Sequence, residues 1–502
     1  MPFKQWIWQD KENKQLLWFS IIIMIISFAW LKYVYPFPNF IPPDSNNYLE
    51  AANNNDFISI WPIGYSKFLR LISIFSRSHF VLVILQYLLL MGSVLYFLFS
   101  IRYLLSPGKW LFRALLTISI INPLLPHIAN FVSSDCLFVA LSLTWFTQLL
   151  WIIYQPKQKL LLLHAIVLLL AFMVRFTAVW YPFFSIVLIA LTNIPRRIKW
   201  VGIGAIALLL FLFIGRTQYE YKVKTGTVQY AAFGGWQLAA NALYGYAHSQ
   251  QDDPTSITWK YKELHILVNH HMDSLDHLVI RPDQKIGVYY LWNFKSPLRV
   301  YPVKSWKITT APPSFFEQWA TMAPYYASYG RWLIAKHPWS FIKHFIWPNL
   351  VRYYAPPAFF MEKYNLGNKQ VDPIVVTWFD WTNNQLPTRA KNRDIRIANI
   401  FPNLLAILNP LFLISTIAFV GSKSFRRCNK ISKRIVSCMG LVWFSNAFFS
   451  VLSAPIELRY QLFPFVITLS FSTLFISSLI MSLSQESETN KKQVALISET
   501  AM

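Results

Sequence analysis

Residues 16–50 read LLWFSIIIMIISFAWLKYVYPFPNFIPPDSNNYLE, so that an apolar run ends directly before a polar loop. Residues 16–31 carry no charged side chain, and the run continues to about residue 35. A helix needs about 20 residues to cross roughly 30 Å of hydrocarbon. The stretch therefore predicts a membrane span followed by a loop at the membrane surface, with Asp44 just past the end of the span.

The composition of the whole chain points to the same class of protein. Its 502 residues are 55% hydrophobic with a mean hydropathy of +0.36, which exceeds the usual values for a soluble domain of this size. We expect an α-helical integral membrane protein with about ten transmembrane helices. The predicted spans are 16–35, 80–101, 114–131, 136–154, 160–174, 176–194, 200–215, 400–420, 435–453 and 460–483.

The distribution of Lys and Arg predicts the orientation of these spans, because the cytoplasmic ends of spans collect positive charge. Basic residues cluster in 1–15, 101–113, 155–159, 195–199, 421–434 and the tail, whereas the alternate short connections have zero or one. Both termini are therefore expected in the cytoplasm, with 36–79 and 216–399 outside.

A net charge of +24 could suggest binding to nucleic acid, but topology accounts for much of it. Of the 46 Lys and Arg residues, 19 lie in the predicted cytoplasmic segments. We expect no nucleic-acid partner. The three cysteines, Cys136, Cys428 and Cys438, lie outside the predicted outer segments, so no disulfide framework is expected. A bacterial inner (plasma) membrane fits this pattern.

The spans divide the chain into blocks. We predict an N-terminal membrane block of about seven spans (1–215) with a first outer loop (36–79), a periplasmic insertion of mixed structure (216–399), a C-terminal block of about three spans (400–484) and a cytoplasmic tail (485–502). Within the insertion, 337–354 (HPWSFIKHFIWPNLVRYY) has the composition of a helix lying on a membrane face. A short extra span is the alternative.

Four short motifs occur in order along this plan. In the first outer loop, Asp44 and Tyr48 precede WPIGYSKFLRLISIFS (61–76), which predicts an amphipathic helix opened by a Pro-x-Gly-Tyr element containing Tyr65. VSSDCLF (132–138) places Asp135 at the entry of a span. VRFTAVWYPF (174–183) contains an Arg-x-Thr element with Arg175, and ELRYQLFPF (457–465) contains Glu457, Arg459 and Tyr460 before the last span.

These motifs and the span–loop plan resemble the GT-C type membrane glycosyltransferases, among them the aminoarabinose transferases of lipid A and the protein O-mannosyltransferases. The resemblance implies a hexosyl- or pentosyltransferase of cell-envelope glycan biosynthesis. Its donor is a polyprenyl-phosphate-linked sugar, and its acceptor is a hydroxyl of a lipid, a glycan or a protein at the outer face of the membrane. Several members have two adjacent acidic residues in the first loop, whereas Ser45 follows Asp44 here.

The resemblance also implies roles for single residues. Asp44 is the expected general base of an inverting transfer, and Arg175 and Arg459 are expected to bind the donor phosphate. Tyr48, Tyr65, Asp135, Glu457 and Tyr460 are possible supports of the active site. We expect no cofactor and no metal site, and dependence on a divalent metal stays open.

Each residue also has a structural interpretation. Asp44 and Asp135 suit helix N-termini, the two arginines could reach to the interface from nearby helices, and Glu457 could pair with or orient Arg459. Residues 265–277, HILVNHHMDSLDH, begin at His265 and end at His277 and contain four histidines. The spacing of these histidines fits no strong metal template and favours solvated positions on a helix.

Two other functions have a similar span pattern: a flippase or exporter of lipid-linked glycans, and a polymerase of such units. A transporter is expected to bury ionisable residues near the middle of its spans. Here the predicted spans are nearly free of charge, and polar residues gather in the outer loops, which favours chemistry at the interface. The sugar, the acceptor and the oligomeric state do not follow from the sequence.

Overall fold

A computed structural model describes residues 1–42, 44–253, 257–305 and 314–500, without the side chains of 304–305 and 485–500. Among these residues the secondary structure is helical, and the only β-pairing is in isolated bridges. The chain is thus a multi-pass α-helical membrane protein, as its composition predicts.

The N-terminal block begins with a short helix and then alternates long apolar helices with short connections. Its helices are α1 (Phe3–Gln9), α2 (Lys11–Val34), α3 (Asp44–Asn53), α4 (Gly64–Ser73), α5 (His79–Leu105), α6 (Lys109–Ile121), α7 (Leu124–Ala129), α8 (Ser134–Tyr154), α9 (Gln158–Val174), α10 (Tyr181–Leu191) and α11 (Arg196–Thr225). A 3-10 turn, Phe176–Trp180, joins α9 to α10.

The next segment, which includes the predicted insertion, contains only short and medium helices. They are α12 (Ala232–Tyr246), α13 (Lys262–Asp276), α14 (Tyr289–Trp292), α15 (Pro297–Ser305), α16 (Phe315–Lys336), α17 (Pro338–Phe341), α18 (Trp347–Tyr354) and α19 (Pro373–Trp378). The C-terminal block has α20 (Phe401–Gly421), α21 (Lys423–Arg427), α22 (Lys430–Ser453) and α23 (Leu462–Thr500). Short 3-10 turns at 259–261, 364–367, 391–393, 396–400 and 458–460 connect them.

Eight helices in the described part of the chain are long and apolar enough to cross a bilayer, counting α6 and α7 together. Two shorter apolar helices, Gln158–Val174 and Phe176–Leu191, coincide with two further predicted spans. Each of the ten predicted runs therefore falls on an apolar helix, although the number that crosses the membrane stays a prediction. Pro123, which interrupts the i→i−4 bonding pattern, separates α6 from α7 inside the predicted span 114–131.

The membrane helices expose apolar side chains on the outside of the bundle. Polar side chains point inward and hydrogen-bond to one another. Ile25 on α2, Phe211 on α11 and Ile417 on α20 are exposed, as lipid-facing side chains are in a structure without a bilayer. Inside, His164 hydrogen-bonds Gln148 and Ser185 at 3.1 and 2.9 Å. Buried polar groups in an apolar medium need such partners, so this cluster has a structural role.

Helix α11 is longer than the predicted span 200–215. It continues to Thr225, supported by the Arg216–Glu220 pair at successive turns and by Lys224, which pairs with Asp56 of the first loop at 3.3 Å. Gly226, with φ of +70°, ends the helix in the left-handed conformation that glycine adopts without strain. The helix therefore carries the chain from the membrane block into the insertion without an intervening loop.

The region 216–399 divides into two packing units rather than one. Buried residues between Tyr221 and Phe345 form a separate core with Ile58 and Ile60 of the first loop. Those between Tyr353 and Ala398 belong to the core of the membrane block. The described residues of the predicted insertion form helices and no strands, so mixed structure is not found there, and the bounds of the insertion as a domain stay a prediction.

The core of the first unit is built on the crossing of α12 and α16. Gly235 lies against the carbonyl of Ala323, and a methyl group at Gly330 would approach the backbone nitrogen of Ala239 to 2.9 Å. Glycine at both positions lets the two helix backbones pack in direct contact.

The predicted helix 337–354, which we call the interfacial helix, is present, and its location at a membrane surface stays a prediction. Helix α17, one π-helical turn (Ile342–Ile346) and α18 follow without a break. Trp339 and Trp347 are exposed, while Phe345 and Tyr353 are buried against the two cores. An exposed row of aromatic residues beside a buried row is typical of a helix that lies at a membrane surface.

Candidate active site

Two carboxylates of the candidate site are held together by backbone pairing between distant loops. Asn39 forms a parallel bridge with Phe131: its N–H donates to the carbonyl of Asn130 at 2.7 Å, and its carbonyl accepts from Val132 at 2.9 Å. The Ser45 hydroxyl donates to the Val132 carbonyl at 2.7 Å. The start of α3, with Asp44, is therefore fixed against the start of α8, with Asp135.

The two arginines predicted to bind phosphate complete a chain of ion pairs with these carboxylates. Arg459 Nη1 lies 2.9 Å from Asp44 Oδ2 and 3.4 Å from Asp135 Oδ2. Arg175 Nη1 pairs with the other oxygen of Asp135. The order Asp44–Arg459–Asp135–Arg175 thus joins four segments that are far apart in the sequence.

Burial makes these pairs stronger than surface pairs. The side chains of Asp135 and Arg459 are 1% and 8% exposed, and those of Asp44 and Arg175 are 17% and 19% exposed. Burial alone would lower the pKa of Arg459, but Tyr460 and the two carboxylates raise it above its ordinary value. Both arginines therefore stay charged, and the four side chains together have no formal net charge.

Tyr460 lies between the two guanidinium groups. Arg459 Nη2 donates to its hydroxyl at 2.8 Å, and the guanidinium of Arg175 lies 4.4 Å from the centre of its ring. Phe360 covers Arg459 from another side at 5.0 Å. These aromatic faces orient the cations and exclude water from them.

Tyr48 and Tyr65 form a supporting layer beside the ion pairs. The Tyr48 hydroxyl donates to Ser134 at 3.0 Å, and the Tyr65 hydroxyl donates to Gln86 at 2.7 Å. Their rings meet edge to face at 5.0 Å. Both tyrosines therefore attach the helices of the first loop to the membrane helices, and neither hydrogen-bonds Asp44.

Glu457 is close to the site without taking part in an ion pair among the described residues. Its Oε2 is buried without a hydrogen-bond partner, and burial raises its pKa to about 7, against the opposing influence of Arg459 and Arg352. Of the two roles considered for Glu457, pairing with Arg459 is not observed, because Asp44 and Asp135 occupy that cation instead.

The residue that anchors the loop of Arg459 is not among the predicted site residues. Asn349 of α18 is fully buried, donates to the carbonyls of Val451 and Ala454 at 2.8 and 2.9 Å, and accepts from the N–H of Ile456 at 2.9 Å. A polar residue among aromatic neighbours in WPNLVRYY was the only available signal. Asn349 links the interfacial helix to the loop that presents Glu457 and Arg459.

The histidines of the insertion are less solvated than expected. His265 is buried and hydrogen-bonds Tyr246 and Tyr329, both at 3.0 Å, and His271 lies 3.1 Å from the Tyr289 hydroxyl. The prediction of solvated positions is therefore wrong for His265, which belongs to the core of the first unit. Its two ring nitrogens are both occupied by tyrosines.

A small open cleft, with room for only about one water molecule, lies beside the site. The first loop (57–63), the end of α9 and the face of α11 line it, and its walls include Met173 and Phe176 on either side of Arg175. Asp44 is not among its lining residues. The cleft is mostly apolar and borders the membrane-facing helices.

Comparisons with models of known protein families, with curated protein sequences and with solved structures find no match to this chain. The arrangement of charged residues therefore has to be interpreted from its own geometry and chemistry.

Proposed function

We propose that the protein is a membrane glycosyltransferase that moves a single sugar from a polyprenyl-phosphate donor to an acceptor hydroxyl at the outer face of the inner membrane. The observation that carries this proposal is the Asp44–Arg459–Asp135–Arg175 chain at the ends of the membrane helices. A carboxylate and two guanidiniums joined at the ends of apolar helices support a reaction on a lipid-borne phosphate.

Asp44 is the proposed general base. A hydroxyl is a weak nucleophile until a positioned base takes its proton as the bond to the sugar forms. Arg459 engages Oδ2 of Asp44, and within the described residues Oδ1 has no hydrogen-bond partner. Oδ1 can therefore accept the proton while Arg459 holds the carboxylate in place. Attack opposite the leaving phosphate inverts the anomeric carbon.

Arg175 and Arg459 are the proposed ligands of the donor phosphate. When the bond between sugar and phosphate breaks, negative charge grows on the phosphate oxygens, and prealigned guanidiniums stabilise it in a site with little water. Asp135 contacts both arginines, so its proposed role is to hold their orientation before the donor arrives.

The alternatives, a flippase or exporter and a polymerase of lipid-linked glycans, stay open. The charged groups of the site lie at helix ends, with Asp44 at the first residue of α3 and Asp135 at the second residue of α8. This position favours interfacial chemistry over passage through the bilayer centre. A polymerase would share the base and the cations, and would differ in using a lipid-linked glycan as acceptor.

The test is transfer by the Asp44→Asn protein. Membranes are incubated with labelled polyprenyl-phosphate sugars and candidate acceptors, and we expect transfer to fall by roughly 10²–10⁴-fold, the usual contribution of a general base. Asp380→Asn is the matched control, because Asp380 is exposed and pairs with Arg77 at the surface.

Both proteins must reach the membrane in equal amounts and unfold at similar temperatures for the comparison to hold. Normal transfer by Asp44→Asn would rule out Asp44 as the base. Equal loss in Asp44→Asn and Asp380→Asn would do the same, since it would show that the effect is not specific to the site.

A further inference from the structure

Arg299, in the first turn of α15, is surrounded by aromatic rings. The guanidinium carbon lies 5.0 Å from the ring centre of Phe315, 5.5 Å from Phe294, 5.8 Å from Trp319 and 5.9 Å from Trp236. Phe294 and Phe315 are exposed, whereas Trp236 and Trp319 are buried. The cation therefore lies at the edge of the first packing unit, between its aromatic core and solvent.

Arg299 has no carboxylate partner in the described part of the chain. Nearby acids of the same unit are engaged elsewhere, Asp283 with Arg281 and Asp252 with Lys336. Nη1 of Arg299 is buried without any hydrogen-bond partner, and burial lowers the pKa of the guanidinium. Aromatic faces offset part of the cost of burying a cation, but they do not accept its N–H groups as a carboxylate or phosphate does.

A wall of aromatic side chains continues from Arg299 to the first loop. Trp319 packs on Trp292 at 5.1 Å and on Phe233 at 6.1 Å, and Phe233 packs on Trp61 at 4.5 Å. The indole N–H groups of Trp61 and Trp319 are buried and have no acceptor. Trp319 is buried beneath these rings, and we call the partly exposed Trp61, Phe233 and Trp292 the aromatic wall.

The chemistry of this region suits a sugar. The partly exposed rings of Trp61, Phe233 and Trp292 can pack against the C–H face of a pyranose ring. An unpaired guanidinium adds a strong preference for an anion, because it offers paired N–H donors to a carboxylate or a phosphate.

The aromatic wall begins in the first outer loop, which packs on the end of α9. Trp61 precedes the turn into α4, and Gly64 at that turn packs directly on the backbone of Met173 at the end of α9, two residues before Arg175. A ligand on the wall would therefore lie along the same loop that carries Asp44.

We propose that Arg299 and the aromatic wall bind a sugar ring that bears a negatively charged carboxylate or phosphate group. The further assignment of this charged sugar as part of the acceptor rests on the proposed glycosyltransferase function. The binding site itself does not depend on that function.

Binding is measured on the purified full-length protein in lipid nanodiscs, by ligand-observed saturation-transfer NMR. The three probes are glucose, glucuronic acid and glucose 6-phosphate. We expect at least one charged sugar to bind roughly tenfold more tightly than glucose, as one charge-assisted contact allows. Comparing the two charged probes distinguishes a carboxylate ligand from a phosphate ligand.

Two variants separate the charge from the aromatic surface. In Arg299→Gln the advantage of the charged sugars should disappear, whereas it should persist in Arg331→Gln, which removes an exposed arginine of the same unit. Phe294→Ala, which removes the exposed ring beside Arg299, should weaken binding of all three sugars. Because Phe294 is 81% exposed, the change leaves the core intact.

The inference is overturned if neither charged sugar binds more tightly than glucose, or if Arg299→Gln and Arg331→Gln behave alike. It is tested separately from the proposed function, because Asp44→Asn should abolish transfer and leave this binding unchanged. If transfer depends on Asp44 but sugar binding does not depend on Arg299, only the inference about Arg299 is ruled out. If the Asp44→Asn protein transfers sugar normally and the charged sugars still bind at Arg299, only the proposed function is ruled out.

Discussion

Arg459 holds the candidate site together at the level of single residues. Its Nη1 contacts carboxylates from two loops, and both contacts are largely buried. Removing one member of a buried ion pair leaves a charge uncompensated and typically costs about 3–5 kcal/mol of stability. Substitutions that keep the shape of Asp44 or Asp135 are therefore better tests of chemistry than truncations to alanine.

Glu457 gives the loop a dependence on pH. Burial raises its pKa from 4.5 to about 7, so the folded protein holds a proton that the unfolded chain releases between these values. Stability is therefore greatest below pH 4.5 as far as this group is concerned, and it falls as the pH rises to about 7.

We expect Glu457→Gln to remove this dependence. Relative to the parent protein, the variant should gain thermal stability when the pH is raised from 5 to 8, because glutamine carries no charge to desolvate. The measurement is the unfolding temperature in detergent at both pH values. Glu263→Gln, which changes an exposed carboxylate of α13, is the control, and an equal shift in both variants would contradict the role of Glu457.

At the scale of helices, the crossing of α12 and α16 depends on glycine only where the two backbones meet. Gly234 and Gly235 are neighbours, but a methyl group at Gly235 would overlap the carbonyl of Ala323, while one at Gly234 would have no atom within 4 Å. Two adjacent positions of the same helix are therefore predicted to respond in opposite directions.

Gly235→Ala should destabilise the protein by about 1–3 kcal/mol through overpacking. Gly234→Ala should be neutral or stabilise it by up to about 1 kcal/mol, since alanine favours the helix. The measurements are the unfolding temperature and the resistance to protease of the two variants and the parent protein, determined side by side. Similar losses in the two variants would mean that the close approach of the helices is not what requires glycine.

The loop of Arg459 also depends on an element that is remote in the sequence. Asn349 of α18 takes three hydrogen bonds from or to residues 451–456, and the carbonyl of Pro357 accepts the N–H of Leu458 at 2.9 Å. The interfacial helix thus sets the position of the cation relative to Asp44. A movement of this helix would move the site with it.

At the scale of the whole molecule, the membrane block is continuous with both packing units. Residues 353–398 pack on the membrane core, and α11 runs from that core into the first unit. The candidate site lies where these parts join. Its orientation relative to the cell is predicted by the charge pattern and awaits measurement.

We expect alkaline phosphatase, which is active only after export, to be active when fused after Gln250 and inactive when fused after Met502. Green fluorescent protein at Met502 should fluoresce, because that end is predicted to be cytoplasmic. An active phosphatase at Met502 together with an inactive one at Gln250 would contradict the predicted topology. The candidate site would then lie on the cytoplasmic face.

The sequence by itself determined the class of fold and the elements that carry the site. Apolar runs of fixed length specify membrane helices locally, because hydrocarbon leaves the backbone no other hydrogen-bond partners. The amphipathic pattern of 337–354 likewise predicted a surface helix. Asp44, Asp135, Arg175 and Arg459 were predicted from the four ordered motifs and the family resemblance that these motifs carry.

Only the tertiary structure decided which of these residues meet. The bridge between Asn39 and Phe131, the contacts of Arg459 and the attachment of Asn349 join segments that are distant in the sequence, and no local pattern encodes such pairings. The same holds for the division of 216–399 and for the burial of His265. These features depend on which apolar surfaces cover each other, and that is a property of the folded chain as a whole.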